Sequence, residues 1–157
     1  ARTELCLMTP AEIPDRLGRF KRVNLQADTS DDAMHAAILE MLKDYSNIGY
    51  AEYLIVNPTT KQPMGLAGYR AITGANHHAN IAVIIDPQYH RQSYGSEVLS
   101  ALLSAAKPRF DIHMLHAFIA HGNLASIQFF THHGFITSGE HSISLSPLHL
   151  HYQRACT

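Results

Sequence analysis

The period of the apolar residues changes several times along this chain, and each change marks an element. Thr3–Met8 alternates and predicts an opening strand. Thr9, Pro10 and Glu12 form a capping box with proline at the first helical position, and Ile13, Leu17, Phe20 and Val23 follow at helical spacing. Thr29-Ser30-Asp31-Asp32 is a second helix start, with Met34, Ala37, Ile38, Met41 and Leu42 as its apolar stripe. From Tyr50 the period shortens to two. Tyr50–Val56, Gly65–Ile72 and Asn80–Asp86 read as strands of an antiparallel meander, separated by the turn-forming segments Asn57–Met64 and Thr73–His78. A helix over Ser96–Ala106 turns Val98, Leu99, Leu102 and Leu103 to the core, and Lys107-Pro108 predicts its end. Met114–Ala120 is a short buried strand. Asn123–Phe135 is a helix with Asn123 as N-cap and Gly134 just past its end, and Ile143–Cys156 supplies one or two closing strands. The order β-α-α-β-β-β-α-β-α-β-β predicts an α+β fold. It reads as an α/β sandwich with a mixed, mostly antiparallel central sheet flanked by helices, and one crossover able to hold a parallel pair.

Composition narrows the class. With 157 residues, 46% hydrophobic and 16% charged, the chain reads as one globular domain over residues 1–157. A net charge of −1 without massed basic residues argues against a nucleic-acid partner. No apolar run approaches the roughly 18 residues that span a bilayer, so no membrane association is predicted. The first residues hold no apolar signal core, and the two cysteines, Cys6 and Cys156, read as packed thiols of a reduced cytoplasmic protein. The twelve histidines include the doublets His77-His78 and His132-His133. Neither H-E-x-x-H nor zinc-finger spacing occurs, and His149 with His151 on one strand face is at most half a site; scattered solvated histidines, and no metal, are predicted.

The chemistry concentrates in Val83–Ala106. There a β-branched run meets a polar loop with one glycine and then a periodic helix, an order that aims backbone N–H groups at an anion. Alone, that is equally a strand, loop and helix without ligand. About twenty residues on comes Asn123–Phe135, N-L-A-S-I-Q-F-F-T-H-H-G-F. Together these segments resemble the cofactor-binding core of the GNAT superfamily, the acyl-CoA-dependent N-acyltransferases. Ile85-Asp86-Pro87 matches the family's V-x-P strand end, and His90-Arg91-Gln92-Ser93-Tyr94-Gly95 stands in its Arg/Gln-x-x-Gly-x-Gly/Ala loop. The second segment is similar to the family's N-x-x-S-x-x-x-Y-x-x-x-G-F. Tyr94-Gly95-Ser96-Glu97 resembles the branch acting on ribosomal-protein N-termini and polyamines.

The resemblance implies acetyl-CoA as acyl donor. His90, Arg91, Gln92, Ser93, Tyr94, Gly95 and Ser96 would cradle its pyrophosphate, and Asn123 would bond the pantetheine arm or cap its helix. Phe130 would wall the channel. Splayed N–H groups around Val83, Ile84 and Ile85 would polarise the thioester carbonyl. Four positions depart from the pattern. His90 replaces Arg or Gln, Ser93 replaces the first glycine, Ala79 fills the strand slot where relatives often place a base, and Phe130 replaces the tyrosine that protonates the leaving thiolate. A thiol of pKa near ~8.5 leaves tolerably without that acid. His78, brought in by a one-residue bulge, and His121 are the candidate catalytic bases. The implied reaction is direct attack of a primary amine in a ternary complex; the acceptor is a small-molecule amine or a protein N-terminus. The acidic region 28–44 favours a cationic one. The alternative is a non-catalytic acyl-CoA-binding or regulatory domain. Exposed sheet edges leave room for a homodimer.

Overall fold

The computed structural model describes residues 2–7, 30–138 and 149–157. The capping box at Thr9–Glu12, the helix carrying Ile13 to Val23 and the segment 143–148 lie outside the described residues, as do the side chains of Met34, Ala37 and Met41. The elements are β1 (Glu4–Cys6), α1 (Asp31–Ile48), β2 (Glu52–Val56), β3 (Pro63–Ala71), β4 (His78–Ile85), a single 3₁₀ turn (Pro87–Tyr89), α2 (Tyr94–Phe110), β5 (Met114–Ala120), α3 (Leu124–His132), β6 (Ile136–Thr137) and β7 (His149–Ala155). The strands hydrogen-bond in the order β1-β2-β3-β4-β5-β7-β6. The β4–β5 pair is parallel, and β1–β2, β2–β3, β5–β7 and β6–β7 are antiparallel. This is the α+β architecture that the hydrophobic pattern predicts.

The chain divides into two compact units, 1–70 with 82–99, and 71–81 with 100–157. In the first, Ser30 caps α1 by accepting from the Ala33 N–H at 3.2 Å, and Asp31 and Asp32 sit in its first turn, as the start signal predicts. Ile38 and Leu42 on α1 pack with Leu54, Val56 and Leu66 from β2 and β3. Glycine is required at Gly65, because a Cβ there would stand 2.1 Å from the Ile84 carbonyl oxygen. In the second unit β5 is the central strand, and Leu115, Ala117, Ile119, Leu102, Ala106, Phe130 and Phe135 are buried.

The proline does not end α2. The helix runs through Pro108 to Phe110, because the Asp111 N–H reaches the Lys107 carbonyl and the buried Ile112 reaches back to Ala106, closing the end beyond it. At its other end α2 begins at Tyr94, so Gly95 and Ser96 belong to its first turn. The strand β4 begins two residues earlier than its apolar run, at His78. Its pairing with β5 is regular there: His78, Ala79 and Asn80 lie opposite Met114, Leu115 and His116. No bulge interrupts the pairing of His78 with β5. Strand alternation sets it on the face opposite Ala79, which is fully buried.

Candidate active site

Strand β4 ends at Ile85, and Asp86 caps the turn that follows by accepting from the Gln88 N–H at 3.2 Å. The loop is then pinned. The His90 ring lies 2.7 Å, through Nε2, from the Ile85 carbonyl, which can only accept, so Nε2 carries the proton. Arg91 and Ser93 both adopt left-handed backbone, at φ 60° and 64°. Ser93 therefore occupies a conformation that glycine takes without steric cost, and its carbonyl accepts the helix bond from Glu97 at 3.1 Å. Beyond it, Tyr94, Gly95 and Ser96 present the N–H groups that the first turn of a helix leaves without helical acceptors.

One carboxylate sits in that turn, and it is neutralised. Glu97 accepts from the Arg2 backbone N–H at 3.1 Å, from Arg2 Nε at 2.9 Å and from the Thr3 hydroxyl at 3.3 Å. The Arg2 hydrogen bond holds the Glu97 carboxyl below its ordinary pKa. The same guanidinium donates to the Gln92 carbonyl at 3.1 Å and lies 4.3 Å from the centre of the Tyr94 ring. Arg2 thus ties the loop to the helix start and cancels the charge that would repel an anion.

In the second unit Asn123 caps α3, accepting from the Ser126 N–H at 3.2 Å, and Gly134 takes φ 84° just past the helix. Phe130 is buried against Phe135, ring centres 5.1 Å apart. His121 is exposed in the turn between β5 and α3. His78 has other company. Its Nδ1 is 2.9 Å from His116 Nε2, His116 Nδ1 is 2.8 Å from His151 Nε2, and His151 Nδ1 is 2.6 Å from the Ser138 hydroxyl. The rings are stacked at 5.1 and 5.0 Å, and Phe118 stacks on His151 at 4.7 Å. His116 is buried. Burial first, then the neighbouring His151 and His78 rings, pushes its pKa down to about 4; burial also lowers that of His151. Outside this row, His77 and His113 both bond the exposed Asp111 carboxylate, at 3.0 and 2.8 Å, joining the end of α2 to the turn before β4.

Residues 11–136 match the acetyltransferase (GNAT) domain family. The chain belongs to that family. No curated protein sequence matches it significantly. Among solved structures it resembles a protein from Bordetella pertussis described as a GnaT-family acetyltransferase, with TM-score 0.82 and 18% identity over 98% of this chain and 96% of that one. A protein from Vibrio cholerae described as a ribosomal-protein-serine acetyltransferase gives TM-score 0.75 and 16% identity, covering 98% and 94%. A mutant spermidine N-acetyltransferase from the same organism gives 0.73 and 14%, covering 98% and 94%. GNAT acetyltransferases use acetyl-CoA as their acyl donor, and this chain is an acetyltransferase of that family. No helix among the described residues is long and apolar enough to cross a membrane.

The structure adds residues to this GNAT domain that motif reading misses. Arg2 stands 95 positions from Glu97, outside both motifs, and nothing in its neighbours marks it. His116 and His151 lie on strands read as core and closing segments. The shared face of His149 and His151 was the available signal, and β5 meets that face at His151. His121 stands on the turn after β5, whereas His78 opens β4.

Proposed function

We propose that this chain transfers the acetyl group of acetyl-CoA to a primary amine by direct attack in a ternary complex. The observation that carries the reading is the α2 N-terminus, where free first-turn N–H groups stand beside a carboxylate already neutralised by Arg2. Such a terminus attracts an anion by a few tenths to ~2 kcal/mol before any hydrogen bond forms. Arg91 and the loop residues through Ser96 would hold the pyrophosphate. Asn123 keeps its capping bond, so the pantetheine arm would meet the amide nitrogen of that side chain.

When bound, acetyl-CoA supplies an activated thioester carbonyl. The chain's residues do the rest. Backbone N–H groups of Val83–Ile85 would polarise the carbonyl. His78, whose Nδ1 is anchored on His116, and His121 are the two candidate bases for the amine proton. Phe130, buried in the core, brings no acid to the leaving thiolate. The spermidine and ribosomal-protein acetyltransferases among its structural neighbours support a polyamine or a protein N-terminus as acceptor. The cytoplasm, where acetyl-CoA is held, is the setting this reading favours.

The test has two stages. Acetyl-CoA at a hundredfold excess over its Kd should stabilise the protein by about 2.7 kcal/mol, raising Tm by several degrees. Thiol release from acetyl-CoA is then followed across polyamines, amino acids, aminoglycosides and N-terminal peptides. Acceleration by one amine class is expected. Silence with every class, despite a Tm shift, would favour the acyl-CoA-binding alternative.

A further inference from the structure

Three stretches of the second unit converge at its surface. His77 ends the turn before β4, Asp111 follows the last residue of α2, and His113 comes just before β5. The Asp111 carboxylate divides its oxygens between the two rings. Oδ2 lies 3.0 Å from His77 Nδ1, and Oδ1 lies 2.8 Å from His113 Nε2. The rings stack with centres 4.7 Å apart and planes 22° from parallel. Among the described residues, this is the one trio of histidine, cysteine or acidic side chains whose ligating atoms lie within 4.8 Å of one another. The buried row does not converge in this way, because His116 meets His78 through one nitrogen and His151 through the other.

We propose that His77 Nδ1, the Asp111 carboxylate and His113 Nε2 bind one divalent cation of the zinc class, with water completing its shell. Two imidazoles and one carboxylate suit zinc and its first-row neighbours, whereas calcium and magnesium prefer oxygen ligands. The ion would tie the end of α2 to the starts of β4 and β5. None of these three residues is assigned to acetyl transfer, so the site stands apart from that reading.

The backbone holds the ligands near one another before any ion arrives. The His113 and Met114 N–H groups both donate to the His77 carbonyl, at 2.7 and 3.2 Å, and the Cys156 N–H donates to the His113 carbonyl at 2.8 Å. Ile112 is buried between the exposed Asp111 and His113. The two histidine side chains are half exposed and that of Asp111 is 70% exposed, so an ion can reach them and they can close on it. The hydrogen bond from His113 holds the Asp111 carboxyl below its ordinary pKa, in the form that ligates. Hydrogen bonding alone accounts poorly for the arrangement, since a surface cluster of this kind contributes little to stability. Yet His77 and Asp111 both take left-handed backbone, at φ 62° and 55°, which is uncommon outside glycine. A ligand that binds only the folded arrangement would offset that strain. Contiguous motifs miss the site because His77 stands 34 positions before Asp111.

The His77 tautomer gives the sharpest test. Its Nδ1 also lies 3.1 Å from the Asp111 carbonyl oxygen, which can only accept, so Nδ1 carries the proton when no ion is bound. Zinc needs a bare Nδ1 and moves that proton to Nε2. Nitrogen-15 NMR of histidine-labelled, tag-free protein at about pH 8, where unperturbed imidazoles are neutral, should show this switch during a zinc titration. His113 should shift with the same first equivalent. Zinc at a hundredfold excess over its Kd should raise Tm by several degrees, and a chelator should reverse the rise. His77→Asn and Asp111→Asn keep residue types that tolerate left-handed backbone. Each should weaken the first equivalent by about tenfold or more in calorimetry, with melting in the absence of zinc checking that the variants fold. His149→Ala should leave it unchanged. A His77 ring that keeps its Nδ1 proton with zinc bound overturns the proposal. So does a first equivalent that survives both variants or is lost in His149→Ala, or a wild type that binds no zinc at about 0.1 mM.

Discussion

The α2 N-terminus and the histidine row handle charge in opposite ways. At the helix start, exposed groups carry full charges in pairs: Arg2 against Glu97, with a strained Ser93 turning the chain between them. In the row, burial disfavours the charged forms of His116 and His151, and hydrogen bonds replace ion pairs. An anion-holding loop gains from fixed charge near water, where rearranging solvent is cheap. A buried row gains from neutrality, because an unpaired charge there would be costly. The two regions should therefore answer differently to acid, to glycine and to salt.

Acid should give the largest effect. The folded-state pKa of His116, about 4, lies below the unfolded value of roughly 6.5, so the unfolded chain takes up the proton first as pH falls. Its contribution is complete above about pH 6.5 and is lost progressively down to about pH 4, amounting to roughly 2–3 kcal/mol. Glu97 has a depressed pKa too, but its contribution disappears only below the ordinary carboxylate range. Urea midpoints measured across this window should fall for the wild type and stay nearly level for His116→Phe. Parallel slopes in the two proteins would mean that the buried ring is not what senses acid.

The loop was legible in the sequence and the row was not, for one physical reason. His90 to Glu97 are contiguous, so the strand end, the turn and the helix start are read in a single pass. The row needs β4 laid beside β5 and β5 beside β7, and the register of those pairings decides that His116 meets both His78 and His151. A one-residue slip would turn the rings to the opposite face. Helix ends were legible where the capping signal was local, as at Ser30 and Asn123. The end of α2 was not, since the contacts carrying it past Pro108 come from the Asp111 and Ile112 N–H groups, and burial of the Ile112 side chain holds the chain there. Arg2 was invisible because an ion pair leaves no periodicity.

Backbone strain should give the next effect. Ser93→Gly keeps the turn and removes the cost of a left-handed residue with a Cβ, so a gain of about 1 kcal/mol in unfolding free energy is expected. The same change opens the backbone toward an approaching phosphate. Acetyl-CoA should then raise Tm more in the variant than in the wild type. A glycine that destabilises the fold would show that the serine hydroxyl, not the φ angle, holds the loop.

The smallest change in stability separates the two roles of Arg2. Its ion pair with Glu97 is exposed, so Arg2→Ala should alter unfolding free energy by only about 0.5 kcal/mol. Its effect on an anion should be larger, because the unmasked Glu97 carboxylate then sits in the helical turn that receives it. We expect KM for acetyl-CoA to rise severalfold in Arg2→Ala, and the rise to shrink as salt screens the repulsion. Glu97→Gln in the same chain should undo most of it. If the double variant binds as poorly as Arg2→Ala, the guanidinium acts on the ligand directly rather than by silencing its neighbour. The pair would then be a charge that recognises, not a charge that is cancelled.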